Sequence, residues 1–118
     1  AHPDFRICAT MNDYASTFEI PEYIHSRLQP PIMLEFPERD EELEILRENL
    51  PFAEEQILAY VVEFLQLAHR SDESYTVRDG VNIARYALKL ARGEAPDREQ
   101  FARSVRMVLG DEALLYVK

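Results

Sequence analysis

The run Ile57-Leu-Ala-Tyr-Val-Val-Glu-Phe-Leu-Gln-Leu-Ala68 decides how this 118-residue chain reads. Ile57, Tyr60, Val61, Phe64, Leu65 and Ala68 recur every three or four residues, which is the spacing of one helix face. A stripe that wide must be covered by neighbouring elements, and the sequence on either side predicts them. Tyr60 and Phe64 therefore read as core residues. Upstream, Leu43, Leu46 and Leu50 mark a first helix. Downstream, Thr76-Val-Arg-Asp79 has the form of a capping box and opens a third, with Val81, Ile83, Ala84, Ala87, Leu88 and Leu90 inward and Gly93 at its end. Pro96-Asp97 starts a fourth, with Phe101, Val105, Val108 and Leu109 inward, and Gly110 stops it. Residues 111–117 read as a short apolar tail. Four helices joined by short loops predict a bundle with its own core over residues 38–118.

Residues 1–37 follow a different pattern. Phe5-Arg-Ile-Cys-Ala-Thr-Met-Asn12 is an apolar run ending on a polar tip. It predicts a strand with Phe5, Ile7 and Ala9 on one face and Arg6, Cys8 and Thr10 on the other. Pro21 opens a short helix through Arg27, Pro30-Pro31 blocks its continuation, and Ile32-Met-Leu-Glu-Phe36 predicts a second strand. Two strands and a short helix bury too little surface to stand alone. They therefore read as the remnant of a larger α/β sheet whose remainder precedes residue 1, and the Ala1-His2-Pro3 start fits a fragment or a processed protein.

Composition narrows the function. The formal charge of −9 argues against nucleic-acid binding through phosphate neutralisation. No apolar run has the length of a membrane span. A lone Cys8 excludes an internal disulfide and, with three dispersed histidines, forms no zinc pattern, so a reducing, cytoplasmic setting is expected. Charge is uneven. Residues 38–55 hold eight acids against Arg39 and Arg47, a net of −6, whereas residues 85–106 hold six bases against three acids, a net of +3. These segments read as solvated helix faces or as complementary packing surfaces. His25 and His69 read as surface residues.

In order along the chain, the motifs resemble the C-terminal part of AAA+ ATPases, most closely the MoxR and dynein-like branch. Phe5–Asn12 resembles the sensor 1 strand, and Ile20-Pro-Glu-Tyr-Ile-His-Ser-Arg27 the helix that follows it. Pro31-Ile-Met-Leu-Glu-Phe-Pro37 is similar to the last core strand. Glu41–Arg47 resembles the acidic opening of the helical lid, and Tyr75-Thr-Val-Arg-Asp79 the lid segment that bears sensor 2. The resemblance implies a mainly α chain: a four-helix lid bundle over residues 38–118, preceded by two strands and a short helix from a P-loop core over residues 1–37.

The resemblance also implies roles. Asn12 would be the sensor 1 residue orienting the attacking water, since an amide donates and accepts at once. Arg78 would be the sensor 2 arginine, reaching a nucleotide phosphate from the lid. Arg27 would be an arginine finger acting on a neighbouring subunit of a homo-oligomeric ring, although Ser26-Arg27 departs from the family's acidic-Arg pair. The parent would bind ATP and Mg2+ and hydrolyse ATP to remodel a protein client or assist metal-cofactor assembly. Plainer readings stand beside these roles. Asn12 can turn its loop, Arg27 can complement a helix C-terminus, and Arg78 can pair with Asp79 or Glu73.

The chain has neither a G-x-x-x-x-G-K-[ST] loop nor a Walker B strand, and its glycines are Gly80, Gly93 and Gly110. No cofactor is expected on this part alone, which would be inactive as an ATPase. The alternative reading is a stand-alone helical adaptor that binds a protein partner through its charged faces.

Overall fold

In the computed structural model, which describes residues 2–10 and 26–117, the helical half follows its apolar spacing closely. Helix α1 spans Arg39–Asn49, α2 Glu55–Arg70, α3 Val77–Leu90 and α4 Arg98–Leu109. The short apolar tail expected over residues 111–117 contains a 3-10 helix, Asp111–Tyr116. The chain divides into two compact units between Glu35 and Phe36.

The unit beginning at Phe36 is a helical bundle. α2 contributes Ile57, Leu58, Val61, Val62, Phe64, Leu65 and Ala68 to its core, each at most 1% exposed. α1 lays Leu46 on that stripe, α3 adds Ile83, Ala84 and Ala87, and α4 adds Phe101 and Val105. α3 packs on α1, α2 and α4, and the 3-10 helix packs on α2 and α4. Phe64 anchors an aromatic cluster with Tyr75, Phe101 and Tyr116 at centroid separations of 5.9, 6.3 and 6.4 Å. The Tyr116 hydroxyl donates to Glu73 at 2.9 Å, fixing the 3-10 helix to the loop between α2 and α3.

Two helix starts are capped reciprocally. Asp79 N donates to Thr76 Oγ1 and Thr76 N to Asp79 Oδ2, at 3.2 and 2.8 Å. Gln100 N donates to Asp97 Oδ1 and Asp97 N to Gln100 Oε1, at 2.8 and 3.0 Å. Gly110 ends α4 at φ 96° and ψ 173°, a conformation restricted to glycine.

The first unit differs from expectation. Neither residues 5–10 nor residues 32–36 form a strand, and no strand occurs among the described residues. Phe5 and Ile7 are 61% and 69% exposed, and Cys8 is exposed rather than lodged in a buried strand. The physical reason is that a strand exists only through hydrogen bonds to a neighbouring strand, and no such neighbour is present among these residues. Of the expected helix ending at Arg27, only Ser26 and Arg27 are described, in a turn; the rest of it, and residues 11–12 of the first expected strand, lie outside the described residues.

Candidate functional site

Arg78 occupies the second position of α3, directly after the Thr76 cap. Both acids that could neutralise it are engaged elsewhere. Asp79 turns back to the Thr76 amide, and Glu73 accepts the Tyr116 hydroxyl. Arg78 makes no ion pair or hydrogen bond among the described residues, and its side chain is exposed. The salt-bridge alternative for Arg78 is therefore not formed. A cation in the first helical turn also opposes the helix dipole, at a cost of roughly 0.3–1 kcal/mol.

The four- and three-residue steps from Arg78 to Asn82 to Arg85 keep these side chains on one face of α3. Together with Val77, Val81 and Asn49 at the end of α1, they line a shallow hollow open to solvent. Arg85 likewise has no ion pair among the described residues. Asn49 uses its amide nitrogen on the Ile45 carbonyl at 2.8 Å, which holds its side chain across the α1 terminus. The lining thus has two guanidinium groups, two amides and no carboxylate, on a chain of net charge −9. Such a hollow can hold an anion through the planar donor forks of arginine. Its lining contains no nucleophile paired with a base. Among the described residues no group of three or more His, Cys, Asp or Glu side chains is placed to hold a metal ion.

Of the three residues expected at a phosphate site, Asn12 lies outside the described residues. Arg27 is exposed in a turn of the first unit, and Arg78 belongs to the second. Asn82 and Arg85 were not expected to join Arg78, although their spacing along α3 was the signal that could have found them.

A second polar cluster was not expected at all. Glu42 belongs to the acidic run read as a solvated face, yet it is 0% exposed. Burial pushes its carboxyl above the usual carboxylate range, opposed by a hydrogen bond from Gln66 and by the charge of His69. His69 is not a surface residue either. Among the described residues its Nδ1 is buried without a partner, and its ring stacks on Phe36 at 3.9 Å.

Among the described residues no helix is long and apolar enough to cross a membrane. No protein-family model, curated protein or solved structure matches the chain.

Proposed function

We propose that the bundle is the helical lid of an AAA+ ATPase of the MoxR-like branch, and that Arg78 is its sensor 2 arginine. In this reading Arg78 and Arg85 take a phosphate of ATP bound on a P-loop core encoded before residue 1. Asn12 is sensor 1 and Arg27 the arginine finger of the same parent, which works as a ring on a protein client. The observation that carries the reading is the unneutralised Arg78–Asn82–Arg85 face beside the α3 N-terminus. An arginine held against the helix dipole, with its neighbouring acids diverted, suits an anionic partner. Sensor action follows physically: a guanidinium on the lid that is drawn to a phosphate on the core couples nucleotide state to lid position.

The test has two parts. The coding sequence upstream of Ala1 is expected to supply a P-loop and a Walker B strand, and an initiator methionine immediately before Ala1 would overturn the reading. In the ATPase-competent polypeptide, Arg78→Ala is expected to lower ATP turnover by at least tenfold; unchanged turnover removes the sensor role.

A further inference from the structure

The hollow formed by Arg78, Asn82 and Arg85 contains no carboxylate, and carboxylates at matching intervals stand exposed on α1 of the same bundle. Lys89, four residues beyond Arg85, extends the cationic face of α3. Like both arginines, it has no ion pair or hydrogen bond among the described residues. On α1, Glu41 and Glu48 are exposed and equally without a partner there. The arginines of α1 are already taken, Arg39 by Glu63 and Arg47 by Glu44 and Glu55. Glu41 and Glu48 are seven residues apart, as are Arg78 and Arg85, so each pair spans about 10.5 Å along one side of its helix. Ile45, 37% exposed, lies between the two acids on the same edge. It is four residues from Asn49, which lines the hollow, so this edge of α1 runs into the face that α3 presents.

α1 packs on α3, yet among the described residues no ion pair joins the two helices within the chain. The acids and bases flank one face side by side instead of meeting. A second copy, turned over by a two-fold axis, sets each acidic edge on the other's cationic edge and makes the contact twice. We propose that this face is a dimer interface, in which Glu41 and Glu48 of a second copy enter the hollow and pair with Arg85 and Arg78, the two helices running antiparallel. That order also carries Lys89 past Glu41 towards the exposed Glu38 before α1. Ile45 supplies an apolar centre to the contact. Arginine forks take a carboxylate through two parallel bonds, which makes the pairing selective for its register. Exposed pairs are individually weak, so the dimer is weak and sensitive to salt. Phosphate and carboxylate compete for the same forks, so this pairing belongs to the nucleotide-free chain and does not rest on the ATPase reading.

The test is sedimentation velocity of the nucleotide-free 118-residue chain over a concentration series. At an ionic strength of about 0.1 M, charges more than about 10 Å apart are screened, so the net charges of −9 repel little while pairs in contact still act. A concentration-dependent dimer is expected there, and monomer at about 1 M. Glu41→Lys with Glu48→Lys, and Arg78→Glu with Arg85→Glu, should each abolish self-association, because like charges then face one another. An equimolar mixture of these two variants should form a heterodimer, since both contacts become complementary again. Monomer at every concentration of the unmodified chain overturns the proposal. So does a dimer that survives at about 1 M salt or in either variant, as association through the exposed Ile32, Met33 and Leu34 would give. A mixture of the variants that does not associate overturns it as well. If either variant does not fold, the salt response of the unmodified chain decides the question.

Discussion

Gly80 and Gly110 are indispensable for opposite reasons, and substitution separates them. A Cβ on Gly80 would lie 2.8 Å from both Leu65 Cδ1 and Val61 Cγ1. The leucine terminus can swing away, but Val61 is fully buried and β-branched on a helix, with one strongly favoured rotamer. Gly80→Ala therefore sets a helix-propensity gain of about 1 kcal/mol against overpacking of about 1–3 kcal/mol. A net loss of about 1 kcal/mol is expected, read as a lower urea midpoint with an unchanged slope. At Gly110 nothing lies within 4 Å of the same probe, yet φ is 96°. Gly110→Ala is expected to cost about 1–3 kcal/mol through the backbone alone. Larger residues at 110 should then cost about as much as alanine, whereas at Gly80 the cost should climb with side-chain volume. Equal size dependence at the two positions would contradict this division.

Helices were legible where their signals are local, and the two capped starts show why. In Thr76-Val-Arg-Asp79 every group needed for the reciprocal bonds lies within one turn, so sequence alone specifies the α3 start. Thr76→Ala should remove about 1 kcal/mol of stability, with amide exchange at Asp79 rising first, because that amide loses its acceptor. Protection of Asp79 unchanged from the unmodified chain would show the cap to be dispensable. The 3-10 helix was read as a tail because its inward residues, Ala113 and Tyr116, make a single three-residue step, too short to establish a period. Strands are a non-local property, which is why the apolar alternation over residues 5–10 forms none: alternation marks a possible strand, but a neighbour makes it one. The burial of Glu42 was equally unreadable, since Gln66 and His69, which surround it, are supplied by α2 more than twenty residues away. At the candidate site, the motif singled out Arg78 as a candidate, whereas its freedom from Asp79 and Glu73 depends on where the cap and Tyr116 direct those acids.

At the scale of the whole molecule, two carboxylates give the bundle opposing responses to pH. Arg47 donates two bonds to Glu55, Nε to Oε1 at 2.9 Å and Nη2 to Oε2 at 3.0 Å, and holds its carboxyl below the usual range. A carboxyl depressed in the folded state stabilises above its unfolded value, about 4.3 for glutamate, and loses that contribution as pH falls through the folded value. Glu42 is raised by burial, so its contribution is complete below the unfolded value and is lost as pH rises through the folded one. Salt should separate the two. Arg47 and Glu55 side chains are 43% and 68% exposed and lie within reach of screening ions, whereas Glu42 is enclosed. Urea midpoints across the pH range should therefore differ between the unmodified chain and Glu55→Gln only on the neutral side, by an amount that shrinks in high salt. The difference from Glu42→Gln should grow with rising pH and persist in high salt, because its source is desolvation rather than a screened surface charge. A Glu42→Gln difference that vanished with salt would mean that the carboxylate is met by solvent and not by the bundle interior. A difference that grew with falling pH would mean that folding depresses its carboxyl, as it does at Glu55.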